Sequence, residues 1–128
     1  MTASPLLSDI GQIAIITKDL PRATAFYREV LGLQFLFEAP GLAFFQCGGV
    51  RLMLGGAESP EFDHPSSILY FNVADIVEAH RTLAARGVQF REAPHVIHKA
   101  GDQALWMAFF TDSEGNFFAI MAWRPNIA

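Results

Sequence analysis

The apolar residues of this chain fall into short runs that are separated by glycine, proline and aspartate. The first run, Gly11–Thr17, is rich in β-branched residues and predicts a strand. Apolar residues at helical spacing then predict a helix that begins at the N-cap Asp19 and ends at Gly32. Three more apolar runs, bounded by glycine-containing turns, predict the strands Gln34–Glu38, Leu42–Cys47 and Val50–Leu54.

The same order of elements then starts again. A strand at Ile68–Val73 leads into a helix with Asp75 as N-cap and Gly87 at its end. Residues 12–19 align with residues 68–75 at an offset of 56. The chain therefore looks like a duplication within one domain, 1–128, with module one at about 10–56 and module two at about 67–123. The last three predicted strands are Val88–Glu92, Leu105–Thr111 and Asn116–Trp123.

Composition narrows the classes of partner. The chain has 128 residues, of which 52% are hydrophobic and 12 are phenylalanine, and its net charge is −4. Without a basic stripe, a polybasic segment or a long apolar run, we expect neither nucleic acid nor a membrane as partner. The single cysteine, Cys47, excludes an intrachain disulfide and favours the cytoplasm. The surplus of apolar residues favours a subunit interface, an apolar pocket or both.

Three segments carry a resemblance to a known family: IGQIAIITKDLPRATAFYREVLGL (10–33), FNVADIVEAHRTLAARGV (71–88) and FFTDSEGNFFAIMAW (109–123). Together with the repeat, they resemble the vicinal oxygen chelate superfamily, which includes glyoxalases, bleomycin-resistance proteins and extradiol dioxygenases. The resemblance implies an α+β fold of two βαβββ modules in tandem, which form a cupped mixed sheet with the helices on its outer face. It also implies a homodimer with pockets shared between subunits.

The resemblance further implies where a metal would be held. Enzymes of the superfamily place His, Gln or Glu on the first and last strands of each module, and here those positions are Gln12, Met53, Ile68 and Ala119. Hydrocarbon side chains cannot coordinate a metal, and a lone thioether does not suit hard divalent ions. We therefore expect no metal at this centre and no cofactor.

Strand alternation then predicts which side chains line the cup. Its wall would be mostly apolar with a few polar groups, as small-molecule pockets are, although a core filled by side chains fits the same pattern. Arg51 is suited to a carboxylate or phosphate, with a surface or interface salt bridge as the alternative. The expected ligand-binding residues are Gln12, Arg51, Met53, Ile68, Tyr70, Met107, Phe109, Ala119 and Met121.

Two other functions stay open. A lyase, isomerase or dioxygenase-like enzyme with a relocated site would use Gln12, Tyr70 and His98 as its candidate catalytic residues. His98 would act as a base from a loop at 93–99, and its spacing of three from His95 would place the two rings on opposite faces if the loop is extended. A purely structural module, with its apolar surface used in assembly, is the remaining possibility.

Overall fold

The computed structural model describes residues 6–125. Module one forms a four-stranded sheet in the order β1-β4-β3-β2, in which β1 runs parallel to β4 and the other neighbours are antiparallel. Its first helix begins as an α-helix and continues as a π-helical stretch at Phe26–Val30. The elements are β1 (Gln12–Ile16), α1 (Leu20–Ala25), β2 (Gln34–Ala39), β3 (Leu42–Cys47) and β4 (Val50–Gly55).

Module two repeats this plan with one additional strand. Its sheet has the order β5-β9-β8-β6, with β5 parallel to β9, and β7 pairs with β8 beside β6. A short 3-10 helix, Pro60–Phe62, lies between the modules. The elements are β5 (Leu69–Asn72), α2 (Ile76–Ala85), β6 (Gln89–Phe90), β7 (His95–Ala100), β8 (Gln103–Thr111) and β9 (Phe117–Pro125).

The predicted helix ends are confirmed in both modules. The Asp19 side chain accepts a hydrogen bond from the Arg22 N–H at 3.1 Å, and Asp75 accepts one from the Glu78 N–H at 3.0 Å. Each bond satisfies one of the N–H groups that a helix start leaves without an intrahelical partner. Gly32 and Gly87 adopt φ of 74° and 96°, the left-handed conformation that glycine accepts without strain.

Two predictions for module two are wrong. The predicted loop at 93–99 is largely strand β7, and the predicted strand Val88–Glu92 shrinks to the two residues of β6. β7 is mostly exposed and its large apolar residues, Val96 and Ile97, are adjacent, so it lacks the alternation of apolar residues that reveals a half-buried strand. Its pairing with β8, rather than its own pattern, makes it a strand.

The core lies between the helices and one face of each sheet. Side chains of both modules join a single apolar cluster, in which Ile15, Phe45 and Leu52 of sheet one meet Phe110 and Phe118 of sheet two. We call the opposite face of each sheet, turned away from the helices, the open face. This arrangement of two helices and two mixed sheets is the predicted α+β fold. No helix within residues 6–125 is long and apolar enough to cross a membrane.

Candidate functional site

The open face of sheet one carries the polar part of the predicted site. Gln12 and Arg51 are register partners on β1 and β4, and Met53 lies two residues further along β4. The Gln12 side-chain amide contacts the Met53 sulfur, with 3.6 Å between Nε2 and Sδ. The structure therefore brings these three predicted residues together.

Arg51 lies beside two aromatic rings. Its guanidinium carbon is 5.6 Å from the ring centre of Phe37 and 5.7 Å from that of Phe44, and the two rings are stacked. Among residues 6–125, no carboxylate lies within ion-pairing distance of Arg51, so the surface salt bridge considered above is not formed there. The exposed guanidinium therefore has its hydrogen-bond donors available to an anion.

The open face of sheet two carries the apolar part. Tyr70, Ala119 and Phe109 form one cross-strand row, and Tyr70 meets Phe109 edge to face with 5.8 Å between ring centres. Met121 and Met107 form the next row. Ala119 is fully buried, whereas 45% of the Tyr70 surface is exposed. The structure therefore gathers five predicted residues on this face.

Ile68 lies just before β5 and is also exposed. The eight other predicted ligand-binding residues lie three on sheet one and five on sheet two.

The residues at the metal positions do not fit a divalent ion. Gln12 offers one weak oxygen donor and is hydrogen-bonded to Met53, while Ile68 and Ala119 offer hydrocarbon only. Elsewhere in the described part of the chain, no three His, Cys, Asp or Glu side chains come close enough to hold a metal ion.

The expected placement of the two histidines is wrong. A β-bulge between Val96 and His98 shifts the register of β7, so that His95 pairs with Met107 and His98 pairs with Leu105. Both histidines therefore share the side of the open face, because a bulge inserts one extra residue into the alternation. His98 belongs to an exposed strand.

A buried polar network, which sequence reasoning missed, joins the modules at the β8–β9 turn. The Tyr27 hydroxyl donates to Asp112 with 2.6 Å between oxygens, and Asp112 also accepts the backbone N–H groups of Glu114 and Asn116. The Glu114 carboxylate accepts the backbone N–H groups of Lys18 and Asp19 at 2.8 Å. Turn residues of module two thus hold the start and the middle of the first helix.

Charge in this network is strongly stabilised. The Glu114 side chain is fully buried and pairs with Arg22, with 2.9 Å between Nε and Oε2. Burial alone would raise the pKa of Glu114, but the hydrogen bonds from Arg22, the Asp19 N–H, Ser113 and the Lys18 N–H lower it from 4.5 to about 2. Burial raises the pKa of Tyr27, and the neighbouring Asp112 carboxylate raises it further.

A cavity of about 550 Å³ lies between the modules, mainly on the helix-facing side of the sheets. We call it the inter-module cavity. Of the predicted site residues, only Tyr70 lines it, because β5 is the edge strand of its sheet and both of its sides reach the gap. Gly48 lies on its wall, in the two-residue turn Gly48–Gly49, which is shorter than the corresponding turn of module two. Its lining includes Ile13, Cys47, Val50, Leu69, Phe71 and Leu83.

Comparison with known proteins shows the same architecture elsewhere. A lactoylglutathione lyase from Agrobacterium tumefaciens is 24% identical, with a TM-score of 0.74 over 91% of this chain and 95% of that chain. A superfamily member from Sphaerobacter thermophilus is also 24% identical, with a TM-score of 0.75 over 91% of this chain and 98% of that one. A glyoxalase/bleomycin resistance protein/dioxygenase from Nocardioides is 25% identical, with a TM-score of 0.70 over 96% and 86% of the two chains.

Family membership follows from sequence as well as from fold. No curated protein matches the chain. The family model of the Glyoxalase/Bleomycin resistance protein/Dioxygenase superfamily matches residues 9–120, which is most of the chain. The chain therefore belongs to the Glyoxalase/Bleomycin resistance protein/Dioxygenase superfamily.

Proposed function

We propose that this protein binds a small, largely apolar molecule on its open faces without a metal centre, as a homodimer in the cytoplasm. The observation that carries the proposal is the chemistry of the open faces. Large apolar side chains lie uncovered there, with Phe37, Tyr70, Phe117 and Trp123 each 44–49% exposed. Clusters of exposed apolar side chains on a folded protein indicate a surface that binds something.

The metal positions support a binding function over the metal chemistry of related enzymes. Chelation of a substrate needs an ion held by three or four N or O donors with open positions left. Gln12, Met53, Ile68 and Ala119 supply a single such donor. Any chemistry on this scaffold would have to come from groups other than a chelated metal.

Arg51 favours a ligand with an anionic or strongly polar end. Its guanidinium is positively charged, and its face lies against Phe37 and Phe44. An apolar molecule with a carboxylate would place its hydrocarbon on the open face and its charge on Arg51. Homodimer formation would cover exposed apolar side chains that a ligand leaves in contact with water.

A ligand screen by thermal shift tests the proposal. A ligand at 100 times its dissociation constant should stabilise the protein by roughly 2.7 kcal/mol, which a melting curve resolves. Phe109→Ala should abolish the shift, whereas Phe62→Ala, at an exposed phenylalanine in the 3-10 helix between the modules, should leave it intact. Arg51→Gln should reduce the thermal shift produced by carboxylate ligands more than that produced by neutral ones. Arg28→Gln is the control, because Arg28 also lies over a phenylalanine ring. Thermal shifts that persist in Phe109→Ala and Arg51→Gln would contradict the proposal that the ligand binds on the open faces.

Metal content and turnover separate binding from catalysis. We expect less than stoichiometric Ni, Zn, Fe or Mn in the purified protein by emission spectroscopy. We also expect no glyoxalase or catechol-cleaving activity after each metal is added. Stoichiometric metal with turnover would instead support the lyase, isomerase or dioxygenase alternative, and loss of that turnover in Tyr70→Phe or His98→Gln would locate its site.

A further inference from the structure

The inter-module cavity is chemically unlike the open faces. Its walls come from both sheets and from α2, through residues such as Val50, Phe71 and Leu83. Among residues 6–125, no charged residue lines it, and its polar lining residues are Cys47, Tyr70 and Asn72. An ion placed there would lose its hydration without a compensating charge, so the cavity selects neutral molecules.

The duplication explains why the space is open. In module two, the turn 112–116 reaches the first helix, and Asp112 bonds the hydroxyl of Tyr27. The repeat partner of Tyr27, 56 residues later, is Leu83, and the corresponding turn of module one is only Gly48–Gly49. Leu83 and Gly48 line the same cavity. The space therefore lies where module one lacks the turn that module two packs against its neighbour.

We propose that the inter-module cavity is a second binding site, separate from the open faces, for a neutral, largely apolar molecule. A cavity of about 550 Å³ is within the range of ligand sites in proteins, roughly 300–1,000 Å³. The aliphatic and aromatic walls match a compact ring system.

Cys47 provides a reporter inside this site. It is the only cysteine of the chain, and it is partly buried on the cavity wall. Burial raises the pKa of its thiol, so it is protonated at neutral pH and reacts slowly. A molecule that fills the cavity must also cover this thiol, whereas a molecule on the open faces leaves it accessible.

The experiment uses N-phenyl-1-naphthylamine, a neutral aromatic amine whose fluorescence rises when it leaves water. We expect saturable binding of one probe per chain, weakened at least about tenfold by Leu83→Phe and by Leu33→Phe, which both fill the cavity. Leu36→Phe, the same change at a residue that does not line the cavity, should keep the wild-type affinity. Met107→Phe, which crowds the open face of sheet two, should keep it as well.

Alkylation of Cys47 by iodoacetamide gives an independent readout in the unchanged protein. A saturating concentration of the probe should slow alkylation at least about fivefold, since the thiol shares the cavity with the probe. If both cavity-filling variants fail to fold, this protection alone decides between the outcomes.

Three results would overturn the inference: no saturable binding to the wild type, binding that the filled variants retain, or a bound probe that leaves Cys47 unprotected. The absence of saturable binding would also result if a second copy of the chain closed the cavity. Loss of binding in Met107→Phe together with retention in Leu83→Phe would place the probe on the open face. That outcome would support the proposed function while overturning this second site.

Discussion

The two modules share one plan of secondary structure but use their last hairpins differently. In each, an aspartate caps the helix and a glycine ends it. The hairpin of module two carries the five-residue stretch 112–116 and buries an acidic network against the first helix. The hairpin of module one has two glycines and borders a cavity. Duplicated elements therefore need not produce duplicated contacts, because turn length decides what each hairpin reaches.

The short hairpin of module one is a regular two-residue turn. Cys47 and Val50 pair directly, so only Gly48 and Gly49 form the turn. Gly48 has φ of 59°, which a two-residue hairpin turn requires at its first position and which glycine adopts without strain. The turn is well formed but too short to carry side chains across to α2. The cavity thus follows from a stable local structure rather than from a defect in it.

The largest expected effect comes from removing the centre of the module-two network. Asp112→Ala leaves the Tyr27 hydroxyl and the N–H groups of Glu114 and Asn116 without their acceptor. We expect the free energy of unfolding in urea to fall by about 4 kcal/mol. Asp102→Ala, in the exposed β7–β8 turn, should change it by less than about 0.5 kcal/mol. A similar small loss in both variants would contradict a structural role for the network.

The next effect concerns charge and pH. The pKa of Glu114 falls from 4.5 to about 2 on folding, so the unfolded chain binds more protons between these values. The resulting stability, about 3 kcal/mol, is fully present above pH 4.5 and is lost as the pH falls towards 2. Glu114→Gln should therefore lose most of this stability at pH 7. Its free energy of unfolding should also depend less steeply on pH between 5 and 2.

Glu58→Gln, an exposed carboxylate in the loop between the modules, is the matched control for that change. It should keep the wild-type slope between pH 5 and 2. An equally steep slope in Glu114→Gln would mean that other carboxylates cause the acid sensitivity.

Removing the helix N-cap should lower the free energy of unfolding by the same amount in both modules. Asp19→Ala and Asp75→Ala each remove one side-chain acceptor from the first turn of a helix, so each should lower the unfolding free energy by about 1 kcal/mol. The Asp19 N–H still reaches Glu114 in the alanine variant, because that contact is made by the backbone. A much larger loss for Asp19→Ala would show that the cap also supports the network of module two.

The smallest expected effect comes from filling the inter-module cavity beside the hairpin of module one. Leu83→Phe adds apolar volume at the cavity wall and should raise the melting temperature slightly, by the equivalent of up to about 1 kcal/mol. Leu36→Phe serves as the control for the same change outside the cavity. A loss of more than about 1 kcal/mol in Leu83→Phe would indicate that the space is already closed in solution.

Much of the fold was predictable because its signals are local. The period of apolar residues identifies α2, and the caps Asp19 and Asp75 mark where helices begin. β7 escaped prediction because an exposed strand paired on one side needs no apolar face. The face shared by His95 and His98 depends on a bulge that is visible only in the register with β8.

By itself, the sequence determined the duplicated α+β plan and the hydrocarbon chemistry of Ile68 and Ala119, since periodicity and side-chain type are properties of residues and their near neighbours. Only the tertiary structure decided that Tyr27 meets Asp112, that Glu114 is buried with Arg22, and that a cavity opens beside Leu83. Those features join residues that are far apart in the chain. Their formation depends on the length of each turn and on the surface that the turn contacts, and no local sequence pattern specifies that contact.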